Sequence, residues 1–256
     1  MPLVPVNEEG MRPEIAMSWR RSTLCGVQPD VQIPVDSGTD PDTRLLRSAV
    51  PVLEELADQI AGTGLCVLLA DRDCRIVRRV FDDTRVERRL ETLGILSGAL
   101  CAEDMAGTNA IGTPFELRQG VVINGSEHYL EQLRGLSCYG HPIIHPATRR
   151  IEGIRDMTIE ASEVNPLFVP FVTRAARDIE RRLLDGSRVS QQQLVQAFQS
   201  VRPQPQLAVA AYAVTRAYGC RDCDTVNSFA ITSPDGGRTW GPASRLNAEP
   251  MHVLWL

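Results

Sequence analysis

Glu103-Asp104-Met105-Ala106-Gly107-Thr108-Asn109-Ala110-Ile111-Gly112-Thr113 is the stretch on which the fold reading turns. Two groups of small, turn-forming residues, Gly107-Thr108-Asn109 and Gly112-Thr113, enclose a short apolar step, directly after the acidic pair Glu103-Asp104. That composition suits a tight backbone excursion lined by hydroxyl and amide groups, of the kind that closes over a small ligand. Downstream follow Glu127-His128, then Cys138, His141-Pro142-Ile143-Ile144 and Gly153-Ile154-Arg155-Asp156-Met157-Thr158.

Working outward, the chain alternates helical and strand-like periods. Pro13–Arg21 reads as a short helix ended by Gly26 and Pro29. From Asp40-Pro41, apolar residues from Leu45 to Ile60 recur at helical spacing until Gly62 and Gly64, with Pro51 predicting a kink or a boundary. Leu65–Ala70 is a continuous apolar run suited to a central strand, and the turn Asp71-Arg72-Asp73 leads to a second strand at Arg75–Val80. Further strands are expected at Gly120–Asn124, Leu136–His145 and Arg150–Ile159. A long helix is expected from an Asn165 cap and Pro166 to about Val201, with Gly186 as a point of interruption. Helix, five-stranded antiparallel sheet and flanking C-terminal helix make an α+β sandwich.

The order and spacing of the 103–113 stretch, Glu127-His128, Cys138, Pro142-Ile143 and the Gly153–Thr158 strand resemble the GAF sensor domain of bacterial transcriptional activators of the acetoin-catabolism-regulator type, a Fis-family-like group. The resemblance spans about residues 8–200. It implies a GAF-like antiparallel sheet flanked by helices and a small-molecule effector bound between the sheet and the 103–113 segment. The ligand-binding candidates it singles out are Glu103, Thr108, Asn109, His128, Cys138 and Asp156. It also implies a long helix at 165–200 that leads toward an output domain, and the apolar stripe of that helix suits pairing of two copies into a homodimer. The sequence departs from the family pattern in four places. Asp71–Cys74 lacks the hairpin glycine, Leu100-Cys101-Ala102 lacks the aromatic, Arg155 replaces an apolar residue, and Tyr139-Gly140-His141 replaces small apolar ones. These changes predict a pocket more polar than usual in the family.

Each candidate has a plainer reading. Thr108 and Asn109 suit local capping of the backbone. His128 follows an acid at a segment start, where a surface or capping role fits. His141 and His145 flank a strand as scaffold groups. Cys138 suits a small buried hydrophobe. Asp156 and Thr158 alternate with Met157, so they share a face, but alternation does not say which face.

Composition narrows the function. The chain has 256 residues, a formal net charge of −5, and Arg for every one of its 27 Lys+Arg positions. A net acidic balance gives no broad footprint for nucleic acid. Without Lys there is no Walker A loop and no Schiff-base lysine, which excludes a P-loop ATPase and a pyridoxal-phosphate enzyme. Seven Cys without a signal peptide or a membrane-length apolar run predict reduced thiols and a cytoplasmic setting. Cys220-Arg-Asp-Cys223, a lone C-x-x-C, reads as a loop rather than a zinc site, so no metal, cofactor or catalytic residue is assigned.

After about Arg202 the character changes. Pro203 and Pro205 break the helix, and Leu207–Thr215 and Val226–Thr232 read as strands. Ser233-Pro-Asp-Gly-Gly-Arg-Thr-Trp240 resembles the Asp-box of sialidase-type β-propellers, a structural hairpin turn of which a propeller needs several copies. The expected organisation is a helical lead-in at 1–40, a GAF-like domain at 41–202 and a short β-rich fragment at 203–256. The tail offers no helix pair for a helix-turn-helix, so direct DNA binding is not expected. A truncated or rearranged reading frame is the expectation for this composite. The leading function is a small-molecule sensor for transcription. The alternative is an enzyme, either a GAF-type methionine sulfoxide reductase, which requires Cys101 and Cys138 on one cavity, or a sialidase-like hydrolase fragment.

Overall fold

The computed structural model describes residues 10–36, 38, 43–163, 168–200, 208–215, 225–233, 244–245 and 251–252. The expected openings at Asp40-Pro41 and at Asn165-Pro166 lie outside these residues, as does most of the Asp-box-like segment after Ser233. The chain divides into two compact units, one ending at Arg181 and one beginning at Arg182.

The first unit is built on five antiparallel strands: β1 (Cys66–Asp71), β2 (Ile76–Phe81), β3 (Val121–Asn124), β4 (Leu136–Ile144) and β5 (Ile151–Glu160). Their order is β2-β1-β5-β4-β3. The apolar run of β1 is buried along its length from Cys66 to Ala70, as a strand covered on both faces must be. This α+β sheet flanked by helices is the architecture that the GAF resemblance implies.

Two layers cover the sheet. On one face lie α2 (Arg44–Ile60) and the start of α6 (Phe168–Ser200). Thr43 caps α2 by accepting from the Leu46 N–H at 3.2 Å. Pro51 sits inside an unbroken helix rather than at a boundary. Its cost is about 3 kcal/mol, but the ring is exposed and Leu45, Leu46, Val52, Leu53, Leu56 and Ile60 are all buried. At ~1.5–3 kcal/mol per buried side chain, packing wins. The helix α6 likewise runs through Gly186 without interruption.

On the other face lies the 103–113 segment, folded as two short turns of helix, α4 (Glu103–Ala106) and α5 (Gly112–Leu117). Two glycines permit this. Gly107 has φ 62°, and a Cβ there would stand 2.6 Å from the Tyr129 ring. Gly140 on β4 lets the sheet meet the Ala110 carbonyl, which any side chain would overlap. The lead-in helix α1 (Pro13–Leu24) packs over this layer, three residues longer than its sequence pattern predicts. Its buried positions are Ile15, Ser18 and Ser22. A further helix, α3 (Thr84–Thr92), follows β2 and has Leu90 as its buried residue.

In the second unit, β6 (Ala208–Thr215), β7 (Thr225–Ser233), β8 (Ser244–Arg245) and β9 (Met251–His252) form a small antiparallel sheet, with β8 and β9 both paired to β7.

Candidate functional site

The six candidate residues divide into two groups. Glu103 and Thr108 belong to a polar clamp under α1. The Ser18 hydroxyl donates to Glu103 Oε1 at 2.5 Å and lies 2.7 Å from Thr108 Oγ1 and 3.1 Å from Thr113 Oγ1. A carboxylate only accepts, so Ser18 spends its single hydrogen on Glu103 and the threonine hydroxyls turn theirs toward Ser18. Arg21 adds two bonds to Glu103, Nε to Oε2 at 2.6 Å and Nη2 to Oε1 at 2.9 Å. Trp19 Nε1 donates to the Glu127 carbonyl at 2.8 Å, and Tyr129 donates its hydroxyl to the Val27 carbonyl at 3.0 Å.

Asn109 holds the loop itself. Its Nδ2 donates to the carbonyls of Cys101 (2.8 Å) and Gly107 (2.7 Å), while its Oδ1 accepts from the N–H groups of Ile111 (2.8 Å) and Gly112 (2.9 Å). The side chain thus substitutes for the backbone pairing that the turn between α4 and α5 cannot make internally.

Asn109, His128, Cys138 and Asp156 line one buried cavity of about 30 Å³ together with Thr158, Cys101 and a ring of apolar side chains that includes Ile33, Leu68, Ile76 and Ile111. Such a volume holds one or two water molecules. Glu103 and Thr108 are not among its lining residues. The register explains which face β5 presents. Asp156 pairs with Gly140, whose missing side chain would point at Ala110, so Asp156 and Thr158 face the 103–113 layer. Arg155 faces the opposite way and donates from Nη1 to the Val172 carbonyl of α6 at 2.7 Å. The Tyr139 hydroxyl likewise lies 3.3 Å from Thr173 Oγ1. The extra polarity expected of the pocket from Arg155 and Tyr139 is therefore on the α6 side of the sheet, and the cavity is largely apolar.

The polar groups that do reach the cavity are strongly perturbed. Asp156 is buried, and desolvation raises its pKa to about 7, against the opposing effects of the Thr158 hydroxyl, Arg155 and the Met157 N–H. Thr158 Oγ1 donates to Asp156 Oδ2 at 2.7 Å, while Oδ1 has no hydrogen-bond partner among the described residues. Burial lowers His128 to about 4. Its Nδ1 meets the Gly125 carbonyl at 3.1 Å, and since a carbonyl only accepts, Nδ1 carries the proton and Nε2 keeps its lone pair. Desolvation raises Cys101 to about 12 and Cys138 well above its ordinary value. His128 is buried in the cavity wall, as a ligand-contact candidate would be, and not at the surface as its plainer reading has it. What buries it is a capping box in which Asn124 and Glu127 close a tight turn, drawing the next residue inward.

Outside the cavity, His145 Nδ1 accepts from the N–H groups of Ala147 (3.2 Å) and Thr148 (3.3 Å), and His141 Nδ1 meets the Pro142 carbonyl at 2.9 Å, the scaffold roles expected of them. Among the described residues no group of three His, Cys, Asp or Glu side chains is placed to hold a metal ion.

The family profile described as MimR, N-terminal domain, matches residues 6–181 of this chain. Among curated proteins, the propane 2-monooxygenase operon transcriptional activator MimR of Mycolicibacterium goodii is 37% identical over 194 residues, covering 75% of this chain and 33% of its own length. The acetoin dehydrogenase operon transcriptional activator AcoR of Bacillus subtilis (strain 168) is 29% identical over 201 residues, with the same two coverages. The chain thus spans a third of the length of these curated relatives. Among solved structures, a chain of the E. coli DhaR(N)–DhaL complex matches with a TM-score of 0.67 at 18% identity, covering 78% of this chain and 70% of that one. That likeness is one of fold.

Proposed function

The chain belongs to the MimR N-terminal domain family, and from that premise we propose that it is a small-molecule-sensing domain serving the regulation of transcription. The observation that carries this reading is Asp156 Oδ1, a fully buried carboxyl oxygen without a partner in the wall of an otherwise apolar cavity. A buried, unsatisfied polar atom costs about 1–3 kcal/mol, and a ligand that satisfies it recovers that cost. The effector is a compact, uncharged molecule that offers a hydrogen-bond donor to Asp156 and an apolar remainder to Leu68, Ile76 and Ile111. Because the cavity holds only a water or two, such an effector selects a wider state of the same site. The relatives are named for operons of a propane 2-monooxygenase and an acetoin dehydrogenase. Propane and acetoin are both molecules of few heavy atoms.

The rest of the proposal follows from this. His128, Cys138 and Asn109 contribute to effector contact, whereas Glu103 and Thr108 act on it through the loop they hold. Signal passes toward α6, along which two copies pair. No helix among the described residues is long and apolar enough to cross a membrane, and a cytoplasmic setting fits. For the 203–256 segment the reading stays structural, and the sequence Ser233–Trp240 resembles an Asp-box.

The reductase alternative has one point in its favour, since Cys101 and Cys138 do line the same cavity. Thiol chemistry needs the thiolate, however, and burial holds both groups protonated. Binding is the better reading.

The test is thermal unfolding of the full chain against a panel of compact alcohols, ketones and hydroxyketones, in the wild type and in Asp156→Ala. A selective rise in Tm is expected in the wild type, about 2.7 kcal/mol of stabilisation at a hundredfold excess over Kd, and its loss in the variant. No response to any compound, or a rise that Asp156→Ala retains, overturns the proposal.

A further inference from the structure

A second pocket, of about 310 Å³, opens on the surface between α3 and the ends of β4 and β5. Arg85, Val86, Arg89 and Leu90 of α3 form one wall, and Glu160 and Glu163 stand among the residues across from them. Leu136 and Thr158 line both this pocket and the buried cavity. The partition between outside and inside is therefore made of the side chains of those shared residues, and one of them, Thr158, holds Asp156.

The helix α3 lines the outer pocket and not the cavity itself, and it is weakly attached. Leu90 is the buried residue of α3, and Val86 is only partly covered. Its remaining fastenings are polar. Arg89 pairs with Glu160, and Arg79 on β2 reaches Glu91 at 3.1 Å and Glu87 at 3.8 Å. The Arg79 guanidinium also donates to the Ile95 carbonyl at 3.0 Å, and Ile95 is itself a cavity wall. Exposed ion pairs contribute ~0.2–1 kcal/mol each. One anchored leucine, the partly covered Val86 and Leu93, and a few such pairs place α3 at the low end of local stability, where segments open without global unfolding.

We propose that α3 is the lid of the effector cavity and that the pocket beneath it is the vestibule through which the effector passes. Arg85 and Arg89 on one side and Glu160 and Glu163 on the other balance the vestibule's charge, so it draws in neither anions nor cations and admits neutral polar molecules. The inference rests on the sensing role proposed for the cavity, but its test uses no effector, so the two fail separately.

The reporter is Cys138, a cavity thiol, with Cys74 in the β1–β2 turn as a buried reference. Methyl methanethiosulfonate is applied to the full chain, and modification is read peptide by peptide by mass spectrometry. The thiolate attacks the reagent's sulfenyl sulfur, a methyl disulfide forms and methanesulfinate leaves. Glu160→Gln is expected to speed Cys138 labelling about two- to fivefold relative to Cys74, the range that losing an exposed pair allows. Leu90→Ala is expected to speed it about tenfold or more. Raising the salt concentration should accelerate Cys138 in the wild type through screening of the same pairs. Glu152→Gln, which weakens the contacts of Glu152 with Arg44 and Arg72, should leave the Cys138 to Cys74 ratio unchanged. If Cys138 and Cys74 accelerate together in the lid variants, entry is through global unfolding and the lid is refuted. Wild-type rates at Cys138 in both lid variants refute it equally.

Discussion

The group that Ser18, Glu103, Thr108 and Thr113 make beneath α1 and the group that Asp156, Thr158 and Cys138 make at the cavity are equally buried. They sit on the same side of the sheet, and each contains a carboxylate. In the first, Glu103 receives three bonds from Ser18 and Arg21, and none of the four side chains leaves a buried polar atom unpartnered. In the second, Asp156 receives one side-chain bond, from Thr158, and Oδ1 is left open beside a void. Saturation is what architecture requires, because a clamp with an unmet hydrogen bond loses the stability it exists to provide. An unmet bond beside a cavity costs the empty protein and rewards whatever fills it.

Three substitutions put that contrast to the test. The largest effect is expected at Glu103→Ala, which strands Arg21 and the Ser18–Thr108–Thr113 hydroxyls. A loss of about 3 kcal/mol is anticipated in urea unfolding, toward the low end for a broken buried pair because Arg21 is partly exposed. A loss below about 1 kcal/mol would mean that Glu103 waits for a ligand as Asp156 does.

Asp156→Asn should act in the opposite direction. The folded pKa of Asp156, about 7, lies above the ordinary carboxylate value near 4. The stability this group contributes is therefore complete below about pH 4 and is lost as pH rises through 7. The amide escapes that loss. At pH 8 the variant should exceed the wild type by about 2 kcal/mol, within the ~4 kcal/mol ceiling of a three-unit shift, and the two should converge at pH 4. His128 has the reverse slope, since its pKa is lowered to about 4 and its contribution is lost as pH falls from about 6.5. The difference between variant and wild-type Tm curves, in which His128 cancels, is the proper readout.

The smallest effect is expected at Ser18→Ala, at the low end of the ~1–3 kcal/mol that leaving the Thr108 and Thr113 hydroxyls without their acceptor costs. Were Ser18→Ala to cost as much as Glu103→Ala, the clamp would behave as one cooperative unit rather than a set of bonds.

The strands were legible from the sequence because apolar runs such as Leu65–Ala70 announce a covered sheet, and their expected limits differ from the observed ones by a residue or so. The helix α3 was not, since Val86, Leu90 and the capping Leu93 make only a narrow apolar line among mostly charged residues. The site was legible as a neighbourhood but not as a partition. Glu103, Thr108 and Asn109 are conspicuous because a tight excursion needs them for its own bonds, and that demand resembles a ligand's in composition. What separates Asp156 from them is which face of β5 it occupies and what fails to reach it, and neither follows from alternation.

That same strand has an electrical consequence. Arg155 and Asp156 are consecutive, fully buried and aimed at opposite sides of the sheet, so β5 carries a positive end toward α6 and a negative end toward the cavity. Burial lowers Arg155 to about 10 and raises Asp156 to about 7, and each charge makes the other less costly to keep. A molecule that fixes Asp156 in its charged form therefore also favours the guanidinium that grips the Val172 carbonyl. One that neutralises Asp156 withdraws that support, although at about 10 Arg155 keeps its charge at neutral pH, so the coupling tunes the cost of the buried guanidinium and not its presence.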